Sequence, residues 1–144
     1  MDIQTFIDQY PLVIFIAGWL AVGYLVPRFT GWRKLSEAYR ASVPFEGKWH
    51  RFQTGYMRWG THYGNVLDVG VNAQGLYLSV FLLLRMGHPA LFIPWSEIKS
   101  ERVTAGFFPR VRLRFLRVPS IPLDVNPPLA EKMIKESFGA FAVH

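Results

Sequence analysis

The chain has 144 residues, 51% of them hydrophobic and 16% aromatic, which is enough for one domain and an appendage and excludes a large multidomain enzyme. Sixteen Lys and Arg against ten Asp and Glu give a formal net charge of +6, yet only 18% of residues are charged, too few for a disordered basic tail. The absence of cysteine removes disulfides, a thiolate nucleophile and Cys-ligated zinc or iron–sulfur centres.

The bases fall in two blocks. Residues 1–27 carry Asp2 and Asp8 and no base, residues 28–58 carry seven bases against two acids, residues 59–100 balance, and residues 101–144 carry seven bases against four acids. Before the first block lies PLVIFIAGWLAVGYLV, residues 11–26, with no ionisable group but a tyrosine hydroxyl and no polar face, the pattern of a membrane-spanning helix. Sixteen residues rise about 24 Å against a hydrocarbon core of roughly 30 Å. The span is therefore expected to recruit Phe6 and Ile7 or to run on through Phe29, with Pro11 as a kink or a first-turn residue. Tyr10, Tyr24, Phe29 and Trp32 lie near its ends, as interfacial aromatics do. A cleavable signal needs a basic start and a small-residue cleavage site, whereas this chain offers an acidic start and Val26, Pro27 and Arg28. A core helix needs protein on every side, which so small a remainder does not supply. Arg28, Arg33, Lys34 and Arg40 then place the following domain in the cytoplasm and the N-terminus outside, the topology of a single-pass inner-membrane protein.

After Pro27, Thr30 is placed to cap a short amphipathic helix, GWRKLSEAYRAS, with Trp32, Leu35 and Tyr39 on one face. Two readings stay open: a helix lying at the headgroups with Trp32 dipped in, or a connector packed on the domain. Pro44 closes the segment. The division predicted is 1–29 anchor, 30–44 juxtamembrane helix and linker, and 45–144 β domain.

From Phe45 onward short alternating runs separated by turn residues predict seven antiparallel strands: 48–58, 65–71, 76–81, 90–93, 98–104, 110–118 and 121–125. VNAQG reads as a tight turn using positive φ at Asn72 and Gly75. Pro127 and Pro128 open a final helix with Leu129, Met133, Ile134 and Phe138 on one face and Gly139 as its stop. Trp95 and Ile98, three apart after Pro94, belong to one wall of the core.

This order of elements resembles a pleckstrin-homology-like domain of the GRAM type, most clearly in GLYLSVFLLLRMGHPALFIPWSEIKSERV, residues 75–103. The resemblance covers residues 48–140 and extends to small bacterial proteins that place one N-terminal transmembrane helix before such a domain. It implies an α+β fold, a seven-stranded antiparallel sandwich or barrel capped by a C-terminal helix, of a kind whose members bind phosphoinositides, other lipids, peptides or nothing known.

Two stretches carry the functional expectation. In PRVRLRFLRVP, alternation puts Arg110, Arg112 and Arg114 on one strand face opposite Val111, Leu113 and Phe115. Their planar guanidiniums suit phosphate, while a solvated face paired with Glu97, Glu101 or Asp124 is the plainer reading. Arg117 breaks the alternation and points elsewhere through a bulge. Phe81, Leu82, Leu83 and Leu84, followed by Met86, cannot all face one core, so the run is either exposed in part, to enter lipid or dock a partner, or belongs to a doubly covered strand or extra core. The histidines have no metal spacing, no nucleophile or phosphate-loop motif occurs, and Gly60, Gly64, Gly70 and Gly75 read as turn punctuation. No cofactor or catalysis is expected, and the anchor argues against nucleic acid. The expectation is a membrane-anchored binding module whose partners are the phospholipid bilayer or a membrane protein; the alternative is a small accessory or assembly subunit of a larger membrane complex.

Overall fold

The computed structural model describes residues 2–58, 61–85 and 87–143, so Met86 of the apolar run and the predicted turn residue Gly60 lie outside the described residues. Helix α1 (Ile3–Gln9) is capped by Asp2, whose carboxylate accepts from the Thr5 amide at 2.8 Å. Tyr10 breaks the helix at φ −128° and ψ 57°, and Pro11, with no amide proton to lose, opens α2 (Pro11–Thr30). Of the two extensions expected for the apolar segment, α2 takes the downstream one. Its 20 residues rise about 30 Å, the thickness of a hydrocarbon core. It is long and apolar enough to cross a membrane, and only 11% of its most apolar window is buried in the protein.

Gly31, at φ 95°, ends α2 and begins α3 (Trp32–Tyr39): its amide donates to the Pro27 carbonyl and its own carbonyl accepts from Leu35. Thr30 is therefore the last residue of α2, not the cap of the next helix. Trp32, Leu35 and Tyr39 are buried, and the Trp32 indole donates to the Pro89 carbonyl at 2.9 Å. The amphipathic face of α3 is spent on the domain core, which realises the connector reading and leaves Trp32 out of reach of headgroups.

Seven strands follow: β1 (Trp49–Tyr56), β2 (His62–Val71), β3 (Gly75–Val80), β4 (Leu91–Pro94), β5 (Ile98–Ala105), β6 (Phe108–Phe115) and β7 (Val118–Val125), then α4 (Pro127–Glu136). They form one open antiparallel sheet in the order β4-β3-β2-β1-β7-β6-β5 rather than a separate pair of sheets or a closed barrel. Strand β1 joins the halves. It pairs with β2 along its length, changes register around Phe52 (φ 59°), and meets β7 only through Gly55 and Tyr56. Alternate residues of both halves, Leu67, Val69, Leu78 and Val80 with Val111, Leu113, Phe115 and Leu123, enter a single buried cluster with Trp32 and Leu35 of α3 and Met133 of α4.

Several local expectations change. The 72–75 turn is made by the Asn72 side chain, whose Oδ1 accepts from the amides of Gln74 and Gly75, with neither Asn72 nor Gly75 at positive φ. Gly64, Gly70 and Gly75 lie within strands, not turns; the Phe45 ring covers Gly70 and stands edge-on to Trp49 and tilted against Tyr77, each at 4.8 Å, on β3, which is buried on both faces. Phe138 is exposed, and Phe141 takes the core place against Trp95 at 4.9 Å.

Thr30 and the Tyr63 hydroxyl, 2.8 Å apart, join the end of α2 to β2 inside the core. Burial pushes the Tyr63 phenol up to about 12, partly offset by Thr30. Since the folded value lies above the unfolded one, the neutral phenol's contribution is whole below pH 10 and is lost as pH rises towards 12, about 2–3 kcal/mol in all. We predict that detergent-solubilised protein loses unfolding free energy across this window and that Tyr63→Phe, less stable at pH 8, shows a shallower slope there; parallel slopes in denaturant melts would contradict it.

Candidate functional site at the helix–domain junction

Four bases of the first block, Arg28, Arg33, Arg40 and Arg58, and the loop that carries the apolar run, far apart in sequence, lie at the junction where α2 enters the domain. Pro27 has no amide proton to give the Gly23 carbonyl, and the backbone of Gly87, at φ 80°, closes on that oxygen; a Cβ on Gly87 would overlap it. One turn earlier the Trp19 indole donates to the Leu83 carbonyl at 2.9 Å. His88, buried between Trp32 and Tyr63, has Nδ1 2.9 Å from the Leu84 carbonyl and Nε2 2.9 Å from the Tyr63 hydroxyl. With a neutral imidazole, Nδ1 donates to the carbonyl, Tyr63 donates to Nε2, and Thr30 donates to Tyr63. At the C-terminus of α2 the Arg58 guanidinium donates to the Phe29 carbonyl at 2.9 Å and the Arg28 carbonyl at 3.1 Å, a cation placed on the negative end of the helix. Helix and domain are thus joined by packing and hydrogen bonds on every side of the loop 81–89.

That loop is where the apolar run lies. Strand β3 ends at Val80, Phe81 turns out, and Leu82–Leu84 form a single 3-10 turn. Leu84 packs on the core, whereas Phe81, Leu82 and Leu83 are exposed, and Phe52 from the β1 bulge stands 6.3 Å from the Phe81 ring. Arg85 turns back to donate to the Val80 carbonyl and reach Asp68, which Arg51 also pairs at 2.9 Å. The exposed turn is consequently purely apolar and stands beside Trp19 of the apolar helix.

Of the juxtamembrane bases, Arg28, Arg33 and Arg40 line one groove of about 660 Å³ between α2, α3 and Pro89, with Glu37 as its carboxylate. Lys34 faces a different cleft, beside Ala38, Arg117 and Pro119. Arg28 stacks over Tyr24 at 4.0 Å, Arg33 stands 3.7 Å from Glu37, and among the described residues neither Arg28 nor Arg40 is ion-paired.

The arginines of β6 are placed as the alternation predicts, on the outer face opposite Val111, Leu113 and Phe115. Their charge, however, is answered within the sheet. Arg112 forms a two-bond fork with Asp124 at 2.8 and 3.0 Å, which pushes the guanidinium's pKa up. Arg114 pairs with Glu101, and Arg110 lies 3.5 Å over the Tyr56 ring. The predicted strand 110–118 breaks at a turn after Phe115, and Arg117 in that turn forks onto Glu97 and donates to the Ala38 carbonyl. The carboxylates Asp68, Glu97 and Asp124 therefore serve separate arginines. Among the described residues no cluster of His, Asp or Glu could hold a metal ion.

Sequence reasoning missed Trp19, Tyr63, Gly87, His88 and Arg58 as parts of this junction. The signals were slight: a lone Trp inside an apolar span, and a Gly-His-Pro run in a loop. Comparison with protein-family models, with curated proteins and with solved structures finds no match.

Asp124 is buried, so removing its fork leaves a carboxylate with little water. Arg112→Gln is expected to lower the unfolding free energy by about 2 kcal/mol in chemical denaturation, whereas Arg33→Gln, at an exposed pair, changes it by less than about 0.5 kcal/mol. Equal effects would contradict the assignment of the β6 row to structure.

Proposed function

We propose that this chain is a non-catalytic binding module held on a membrane by α2, with its β domain fixed against anionic headgroups on the cytoplasmic side and its N-terminus outside. The observation that carries this reading is the continuity of apolar surface from α2 to the turn Phe81–Leu83, which the Trp19 and Gly87 contacts fasten in place. An apolar helix of this length and exposure finds its lowest free energy in hydrocarbon, and the leucine turn fastened to it at Trp19 is carried into the same phase. The bases at the end of α2 lie where an anionic leaflet attracts them by about 1 kcal/mol each. The strand order, the corner made by β1 and the closing helix support a pleckstrin-homology-like ancestry. The row Arg110, Arg112, Arg114 and Arg117 takes a secondary part, because a headgroup there competes with Asp124, Glu101 and Glu97.

A second reading, a small accessory subunit of a larger membrane complex, draws on the β5–β6 tip, where Phe107 and Phe108 are exposed far out on a hairpin. A monodisperse monomer after detergent extraction removes its support.

Because the chain has no cysteine, single labels can report depth and side. A spin label at Leu82→Cys in full-length protein reconstituted in anionic vesicles is expected to be shielded from a water-soluble relaxant, and one at Lys132→Cys to be fully open to it. In intact cells, Gln4→Cys should react with an impermeant maleimide and Lys132→Cys only after permeabilisation. Equal aqueous access at Leu82 and Lys132 would sink the proposal.

A further inference from the structure

Resting on the reading of α2 as a membrane helix, we infer that the groove between α2 and α3 is a binding site for one anionic phospholipid. Arg28 comes from the last turn of α2, Arg33 from the first turn of α3 and Arg40 from its end, and the reversal at Gly31 brings all three to one concavity of about 660 Å³. Three guanidiniums face one carboxylate, Glu37, held only by a loose contact with Arg33 at 3.7 Å. On β6, by contrast, Arg112 and Arg114 each have a carboxylate, and Arg110 alone lies, like Arg28, over a tyrosine ring. Spare guanidinium donors in a concave wall call for an anion with several acceptor oxygens, which a phosphodiester provides.

The groove's other wall gives the source of that anion. It is built from Gly23, Tyr24 and Pro27 of α2, and the same helix face continues through Leu20 and Ile16, both exposed. A phosphate between the arginines therefore has its glycerol directed at Tyr24 and its acyl chains along an apolar helix, an arrangement that suits a lipid and gives a water-borne phosphoester nothing for its remainder. Arg28, stacked on Tyr24 at 4.0 Å, marks the level at which the headgroup leaves the hydrocarbon.

Native mass spectrometry of the full-length protein in neutral detergent, titrated with phosphatidylglycerol or phosphatidylcholine, tests this. One phosphatidylglycerol adduct is expected, favoured on the order of a hundredfold over phosphatidylcholine, from three bases at about 1 kcal/mol each. The preference should vanish in the Arg28→Gln, Arg33→Gln, Arg40→Gln variant and rise in Glu37→Gln, a change that adds binding and so does not depend on a damaged fold. No preference in the wild type, or an undiminished one in the triple variant, overturns the inference. Displacement of the lipid by equimolar glycerol 3-phosphate overturns its lipid half. Release of the full-length chain from membranes by alkaline carbonate would instead strike the underlying membrane reading, so the two failures are separable.

Discussion

An apolar helix that the protein does not cover is the constraint on which the arrangement depends. Leu12, Val13, Phe15, Leu20, Val22 and Leu25 are all exposed on α2, and each large apolar side chain left in water forgoes about 1.5–3 kcal/mol. Set against a net folding stability of about 5–15 kcal/mol, that surface decides the environment of the whole chain. In the last two turns one face, Gly23, Pro27 and Thr30, is buried in the domain, while Tyr24, Leu25 and Phe29 stay exposed. The helix is thus divided into a part that the protein solvates and a part that something else must.

That division makes the junction stiff. A flexible linker would let a domain wander over a membrane at many angles. Here α2 passes into α3 through one residue, Gly31, and α3 is itself core through Trp32, Leu35 and Tyr39. On the opposite side the loop 81–89 grips the helix through Leu83 and Gly87, and His88 ties that loop to Tyr63. The domain's pose relative to α2 is fixed by packing, so the leucine turn and the arginine groove stand at set heights along the helix axis. The missing Pro27 donor opens the Gly23 carbonyl and lets a glycine loop approach it; a feature that weakens a helix in isolation serves as its attachment point.

What the sequence reveals and conceals follows the range of each interaction. Alternation in PRVRLRF places Val111, Leu113 and Phe115 inside because the period of two is local, and all seven strands are legible for the same reason. The pairing of Arg112 with Asp124 depends on the register between β6 and β7, which neither strand states alone. Thr30 reads as a cap by local rule, yet tertiary contact with Tyr63 keeps it helical and moves the break to Gly31. The amphipathic face of α3 is visible in the sequence, but whether lipid or protein covers it is not, since both accept Trp32 and Leu35. The expected positive φ at Asn72 gives way to its side chain, which folds the turn by hydrogen bonds instead.

Charge shows how these ranges combine. The negative end of α2 presents carbonyls at Arg28 and Phe29, and the guanidinium that answers them is Arg58, from beyond β1, not the nearby Arg28. Arg58 occupies those carbonyls, while Arg28 lies over Tyr24 and faces the groove. In the same way Asp124, Glu101 and Glu97 are consumed by β6 and its turn, so none remains to neutralise the groove, where Glu37 alone opposes three arginines. Arg112, Arg114 and Arg117 are thus paired in and beside the sheet, whereas Arg28 and Arg40, beside the membrane-length helix, have no ion pair among the described residues. Unpaired bases so placed cost little beside a phase of opposite charge, which is the balance on which the proposed siting of the groove at an anionic leaflet rests.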